Sequence, residues 1–288
     1  MDIHPSLAII GGSGLYDISE LSNPKEFNIN TPFGQPSAPI VVGSLGNCQV
    51  AFLARHGIGH HISPSEINFR ANIYALKSLG VQRIVSISAC GSLREDYAPG
   101  EIVIPTQLFD FTRNRRRSFF EGGLVAHIST AEPFCNHLST AIYEAVQETG
   151  APVHHGGELI TIEGPRFSTK SESNTYRAWG MSIIGMTTSP EAFLAREAEI
   201  CYAVMGHVTD YDVWHISEEP VTVDMVIEIL HRNTEVAQQA IKNLTRSINV
   251  AEDCTCQHAL ASALITQPSA ISPQAREQLG LLVEKYLD

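Results

Sequence analysis

Leu7-Ala-Ile-Ile10-Gly11-Gly12-Ser13-Gly14 is the stretch from which the fold is read. A short apolar run stopped by glycines is a buried strand; an amphipathic helix would need about ten residues or more of a 3.6-residue pattern. The glycines after it let backbone amides approach an anion, and the serine adds a hydroxyl donor. A tight strand-to-loop turn would use the same residues. A dinucleotide fingerprint would need a further glycine where Asp17 stands, which argues against pyrophosphate binding.

Working outward, apolar runs of the same kind recur at residues 40–42, 50–53, 83–87, 101–104, 159–162, 182–184 and 203–208. Between them, helices are predicted over 64–79, 133–148, 190–199 and 223–248. Three of these open on a proline, which a first helical turn tolerates because that N–H has no helical acceptor. The alternation implies an α/β fold: a single domain with a central mixed, largely parallel twisted sheet flanked by helices, plus a C-terminal helical extension. The one candidate boundary falls at 249–253, dividing a body of residues 1–250 from an extension of 251–288. In that extension Ser272, Pro273 and the apolar Leu279, Leu282, Val283 and Leu287 predict a capped helix packed on the body or on a neighbouring subunit.

The 288 residues carry 19 Lys and Arg against 31 Asp and Glu, a net charge of −12, so the overall field repels nucleic acid and anionic membrane. Any bound anion therefore needs a local site. The N-terminal stretch lacks the basic flank and apolar run of a secretory signal, and no segment approaches the roughly 20 apolar residues that span a bilayer, so a cytoplasmic location is expected. Cys48, Cys90 and Cys201 sit in apolar runs, where thiols pack as small hydrophobes. Cys254-Thr-Cys256-Gln-His258 offers thiol and imidazole ligands but lacks a second Cys/His pair, so a structural or redox role is expected and no metal is assigned.

Candidate chemistry gathers at strand ends. Arg55-His56-Gly57 closes the second strand of a hairpin, with His60 and His61 beyond; a strand-end arginine suits forked recognition of phosphate, and an ordinary surface arginine is the alternative. Ser86-Ile-Ser88-Ala89-Cys-Gly-Ser92 ends another strand with hydroxyls and a glycine. Strand ends converging on one edge are where open α/β sheets bind ligands. The basic cluster Arg113-Asn-Arg115-Arg116-Arg117 reads as a solvated loop or subunit contact, and Phe119-Phe120 beside it as interface residues. Glu163-Gly-Pro-Arg166-Phe167-Ser168 offers an aromatic face and a hydroxyl for a flat base, or is an ordinary turn. In Thr209-Asp210-Tyr211-Asp212, residues two apart on a strand end face one side, so two carboxylates meet and one is expected to keep a proton near neutrality; the alternative is two separate surface or capping carboxylates.

Taken together, Gly11-Gly-Ser-Gly-Leu15, Thr31-Pro-Phe-Gly34, Leu53-Ala-Arg55-His56-Gly57, Ala89-Cys-Gly-Ser-Leu93, Thr161-Ile-Glu-Gly-Pro-Arg-Phe-Ser168, Gly185-Met-Thr-Thr188 and Thr209-Asp-Tyr-Asp212 resemble the 5′-methylthioadenosine phosphorylases of the purine nucleoside phosphorylase family, in order from about Leu7 to Ile248. The resemblance implies cleavage of an N-glycosidic bond by inorganic phosphate, a co-substrate, with no metal or organic cofactor. It carries phosphate binding to Ser13, Arg55, His56, Ser88, Ala89 and Thr187, with serine standing at positions 13 and 88 where family members usually have threonine. The base would lie near Phe167 and Ser168, and the ribose against Met186. Asp210 would serve N7 and Asp212 the exocyclic amine. The 5′-methylthio group would meet Val223, Val226 and Ile227, which read otherwise as helix core. His60 also matches, and so does His127, which the family places in a neighbouring subunit's site; a homotrimer, or a dimer of trimers, is thereby implied.

Two positions depart from the pattern: Gly185 stands where some relatives have asparagine, and the tail after Asp253 differs in many, extended members pairing trimers and using Cys-x-Cys for disulfides. The alternatives within reach are a broader 6-aminopurine nucleoside phosphorylase, a methylthioinosine phosphorylase, a hydrolytic nucleosidase, or a non-catalytic nucleoside-binding protein.

Overall fold

The computed structural model describes residues 4–12, 18, 20–216, 222–249 and 252–287, the side chains of 224–232 excepted. Every predicted apolar run is a strand. In chain order the elements are β1 (Leu7–Gly11), β2 (Ser22–Phe27), β3 (Ile40–Leu45), β4 (Cys48–Ala54), α1 (Phe69–Ser78), β5 (Arg83–Ser92), β6 (Ile102–Ile104), β7 (Gln107–Phe111), α2 (Asn136–Gln147), β8 (Val153–His155), β9 (Glu158–Ile162), α3 (Lys170–Ala178), β10 (Ile183–Gly185), α4 (Thr188–Glu197), β11 (Cys201–Asp210), α5 (Val223–Ser247) and α6 (Pro273–Val283).

All the strands belong to one sheet, with β5 at its hub. β5 pairs in parallel with β1 and β11 and antiparallel with β10, and the sheet as a whole is mixed and mostly parallel. The β1 pairing stops at Ser86 and the β10 pairing begins at Gly91, while β11 follows the other side throughout. Along the intervening stretch that contains Ser88 and Ala89, no strand among the described residues pairs with the β5 edge facing away from β11. The sheet parts there, and the parting is where the site lies. One face carries a core in which α1, α4 and α6 pack, the other a core of α2 and α5. Apolar side chains on both faces of central strands such as β5 and β11 account for their unbroken hydrophobic runs.

Helix starts differ from the proline-based expectation. α1 begins at Phe69, not near Pro64, because the Asn68 side chain accepts from the Ala71 N–H and caps the first turn. α4 begins before Pro190, after Thr187, with Ser189 non-helical inside it. α3, which the apolar pattern did not reveal, is announced by a capping box: Thr169 accepts from the Glu172 N–H and Glu172 accepts from the Thr169 N–H. Edge strand β2 (Ser22-Asn-Pro-Lys-Glu-Phe27) is exposed and polar, so it has no hydrophobic alternation to read.

Phe119 and Phe120 are core residues, not an exposed interface pair: Phe119 meets Phe33 edge-on at 5.0 Å and packs with Tyr74. The predicted terminal helix is present, with the Ser272 side chain accepting from the Ala275 N–H. Its Leu279, Leu282 and Val283 join the same core as α1 and α4, so the extension packs into the body. No described helix is long and apolar enough to cross a membrane.

Candidate functional site

Strand register brings the predicted anion residues to one level. Gly11 pairs Ala54 and Ile10 pairs Ser86, so Arg55 and Ser88 follow at corresponding heights on either side of the β1 end. The Arg55 N–H donates to the Gly11 carbonyl at 2.9 Å. Its guanidinium is buried and gripped from several sides: Nε and Nη2 donate to the two oxygens of Glu191 at 2.9 and 3.1 Å, Nη2 also to Ser86 Oγ at 2.7 Å, and Nη1 to the Ile87 carbonyl at 3.1 Å. Glu191, fully buried, accepts a further bond from the Tyr202 hydroxyl at 2.8 Å. The sequence reading missed Glu191 because a carboxylate in the first turn of a helix reads as an ordinary dipole partner. Here it pairs with the arginine and orients it, so the Nε–Nη2 fork that the sequence assigned to phosphate faces a carboxylate instead, and Arg55 stands at the sheet edge as a held charge.

Ser88 Oγ and Thr187 Oγ1 stand 3.4 Å apart, the first on β5 and the second at the residue preceding α4, so two hydroxyls from different elements face one place. His56 Nδ1 lies 2.9 Å from the Ile62 carbonyl, so the proton is assigned to Nδ1 and Nε2 is left as an acceptor. Burial, then the charge of Arg55, pushes the His56 pKa down to about 4, so the ring is neutral at pH 7. A neutral ring with a free acceptor nitrogen is suited to a protonated phosphate oxygen. His60 stacks on it at 4.3 Å. Ala89 neighbours Ser88 on the open edge of β5, and Ser13 lies outside the described residues.

At the end of β11 a bulge intervenes: Val208 pairs Cys90 and Asp210 pairs Gly91, leaving Thr209 extra. Such a bulge re-aims the side chain that follows it. Asp210 Oδ2 accepts from the Thr209 hydroxyl at 2.6 Å and Oδ1 from the Asp212 N–H at 2.7 Å. Asp212 itself lies beyond the strand, in the left-handed region at φ 50°. The two buried carboxylates are thus neighbours, as expected, but through the bulge and the turn and not through strand alternation. Burial pushes the Asp210 pKa up to about 6; its hydroxyl and amide donors oppose that, and the charge of Asp212 is a lesser contributor. The sequence expectation of a raised carboxylate pKa holds with a different leading cause. The Asp212 pKa is also raised by burial, opposed by the nearby Ser173 and Ser168 hydroxyls. Neither hydroxyl closes a hydrogen bond in this geometry, and Asp212 Oδ2 is likewise buried without a partner.

Gly91 forms the floor beneath this pair. A Cβ there would fall 2.9 Å from Asp210 Oδ1 and 3.0 Å from Ile184 Cγ2. Gly91→Ala is expected to displace the Asp210 carboxylate and lower kcat on the order of 10²-fold in a folded protein, since small misplacements of reacting groups have effects of that size. Wild-type kcat in this variant, with an unchanged far-ultraviolet dichroism spectrum, would show that the carboxylate position is not critical.

Around the aspartates, Phe167 is exposed at 37% and Ser168 is buried. Met186 packs against Gly164, where its sulfur would come within 2.6 Å of a Cβ. Arg115 corrects the view of the basic cluster as a solvated loop: it is buried, and Nη1 donates to the Met186 carbonyl at 2.7 Å and the Ser189 carbonyl at 2.6 Å, while Nη2 donates to the Glu163 carbonyl at 2.7 Å. One side chain thus ties together the loops that carry Phe167, Met186 and Thr187. Val223 at the start of α5 is exposed; Val226 and Ile227 also lie on α5, and their side chains fall outside the described residues. His127 is exposed, and its N–H donates to Ala263 of the C-terminal extension at 2.9 Å.

The profile of the Phosphorylase superfamily matches residues 6–246. The chain is 49% identical to S-methyl-5′-thioadenosine phosphorylase of Geobacter sulfurreducens, over 98% of this chain and 99% of that one. Among solved structures it resembles a methylthioadenosine phosphorylase from an antarctic soil metagenomic library at a TM-score of 0.93 and 45% identity, covering 97% of this chain and 99% of the other. It also resembles the Schistosoma mansoni methylthioadenosine phosphorylase in complex with adenine at a TM-score of 0.82 and 35% identity, covering 97% and 98%.

Proposed function

The chain belongs to the phosphorylase superfamily, and from that membership together with the geometry of its site we propose that it cleaves S-methyl-5′-thioadenosine with inorganic phosphate to adenine and 5-methylthio-α-D-ribose 1-phosphate, a pentosyl transfer in purine and methionine salvage. The observation that carries the chemistry is Asp210, a buried carboxyl with a raised pKa, standing at the edge of the sheet that also presents Ser88 and Thr187.

As the C1′–N9 bond lengthens, the sugar becomes cationic and adenine takes the bonding electron pair. Asp210 gives a proton to N7, so adenine leaves neutral, and a phosphate oxygen forms the new bond at C1′. Phosphate is held by Ser13, Ser88, Ala89, Thr187 and neutral His56, beside the fixed positive charge of Arg55. The anionic nucleophile stabilises the sugar cation, and preorganised donors stabilise the phosphate without reorganising during the reaction. Phe167 and Ser168 border the base, Met186 the ribose, and Val223, Val226 and Ile227 the methylthio group. Neither metal nor organic cofactor takes part in these steps.

Asp212, an acceptor buried without a partner at Oδ2, suits the 6-amino group of adenine and opposes a 6-oxo group. A mismatched buried polar group costs about 1–3 kcal/mol. Asp212→Asn is therefore expected to shift the ratio of kcat/KM for methylthioadenosine over methylthioinosine roughly ten- to a hundredfold towards the oxopurine. An unchanged ratio would remove Asp212 from base selection. For the wild type, preference for methylthioadenosine over adenosine and inosine tests the substrate assignment, and a preference for inosine would overturn it.

The resemblance that places His127 in a neighbouring copy's site implies a homotrimer, with pairing of trimers as a further step; His127 is exposed on this chain, within reach of such a copy. Sedimentation of the purified chain as a monomer would contradict that assembly. A cytoplasmic location agrees with this salvage chemistry.

A further inference from the structure

Four of the six cysteines converge at the opposite end of β11 from Asp210. Cys135 is the residue capping the N-terminus of α2, Cys201 opens β11, and Cys254 and Cys256 follow α5 in the extension. All are free thiols. Their Sγ atoms lie within 4.8 Å of one another, and those of Cys135 and Cys254 are 3.7 Å apart. Cys135, Cys201 and Cys256 are buried, and Cys254 is partly so. The fold supplies the second pair of ligands that the Cys-x-Cys segment alone lacks.

We propose that these four cysteines bind a divalent soft cation of the zinc class as a structural site, fastening the C-terminal extension to the sheet. Zinc–thiolate bonds of about 2.3 Å in a tetrahedron set the sulfurs about 3.8 Å apart, so one edge already has the required length and the others need only a small contraction. Four thiol ligands with no water position describe a closed structural site, not a catalytic one. Cys135 sits at the positive end of α2, which favours a thiolate.

The charge is also provided for. Each metal–sulfur bond forms as a thiol loses its proton, so four protons leave for one divalent ion and the filled site has a net charge of −2. The buried Arg83, whose Nη2 donates to the Asn249 and Glu252 carbonyls at 3.1 and 2.8 Å, lines a cavity of about 150 Å³ together with Cys135, Cys201 and Cys254. Glu252 and Asp253 border the same cavity, an acidic approach for a cation.

The test uses the full chain, purified without chelator in the presence of a reductant. Elemental analysis is expected to find about one zinc per chain, released when a mercurial blocks the thiols. After removal of zinc under reducing conditions, cobalt(II) is expected to restore an intense visible spectrum with thiolate-to-metal charge-transfer bands, the signature of a tetrahedral sulfur site. The double variant Cys254→Ser with Cys256→Ser should lose the bound zinc and the cobalt bands. Should that variant fail to fold, the wild-type cobalt spectrum and zinc release still decide the matter. Wild-type chain that neither carries zinc nor develops thiolate–cobalt bands, or whose four thiols prove to be joined as two disulfides under these conditions, overturns the proposal.

Discussion

Asp210→Asn is expected to lower kcat for methylthioadenosine phosphorolysis by about 10²–10⁴-fold, the usual contribution of a positioned general acid. The amide fits the space. Its Oδ1 keeps the Asp212 N–H, and its Nδ2 can donate to the Thr209 hydroxyl, whose own proton turns to the Cys90 carbonyl 3.3 Å away. The loss should therefore be chemical, not structural. In the wild type, kcat/KM at saturating phosphate should fall as pH rises through about 6, where Asp210 ionises in the free protein. That limb should vanish in the variant.

Stability should move the other way. The folded pKa of Asp210, raised to about 6 from 3.8, contributes stability that is fully present below the unfolded value and lost as pH rises through the folded one. At pH 7.5 the wild type carries the penalty of a buried carboxylate, at most about 3 kcal/mol, and the amide carries none. The variant should melt no lower than wild type at pH 7.5, with any advantage closing towards pH 4. A variant that is inactive because its melting temperature has collapsed would contradict this assignment.

Glu191→Ala has the second large effect, and it falls on stability. The substitution leaves the Arg55 guanidinium 2% exposed with no carboxylate opposite, and strips the Tyr202 hydroxyl of its acceptor. Breaking a buried pair from one side costs about 3–5 kcal/mol, because the surviving charge is left desolvated. Urea unfolding should show that loss. The double variant Arg55→Met with Glu191→Leu removes both charges and should recover most of the stability while remaining unable to use phosphate normally. If the double variant is as unstable as Glu191→Ala alone, the unpaired charge is not the cause.

The central sheet was legible because its strands are buried on both faces: runs such as Ala203 to Val208 need no partner to be recognised. Edge strand β2 and helix α3, polar and half exposed, were not, although Thr169 and Glu172 carried a capping box that could have placed α3. At the site, short motifs revealed the groups that end strands. They could not reveal Arg115 and Glu191, which act by burial across long sequence separations, since a basic run and a helix-start glutamate have common solvated roles. The Asp210 and Asp212 pair was read correctly as neighbours for the wrong geometric reason: a bulge at Thr209 and a left-handed Asp212, not strand periodicity, set their positions. Cys135 and Cys201 show the same limit, because only the fold brings them to Cys254 and Cys256.

Phosphate dependence separates phosphorolysis from hydrolysis. Purified chain is incubated with methylthioadenosine, with and without inorganic phosphate, and adenine and sugar products are followed together. Adenine release is expected only with phosphate, matched mole for mole by 5-methylthioribose 1-phosphate; sustained release without phosphate, giving free 5-methylthioribose, would show a hydrolase and not a phosphorylase.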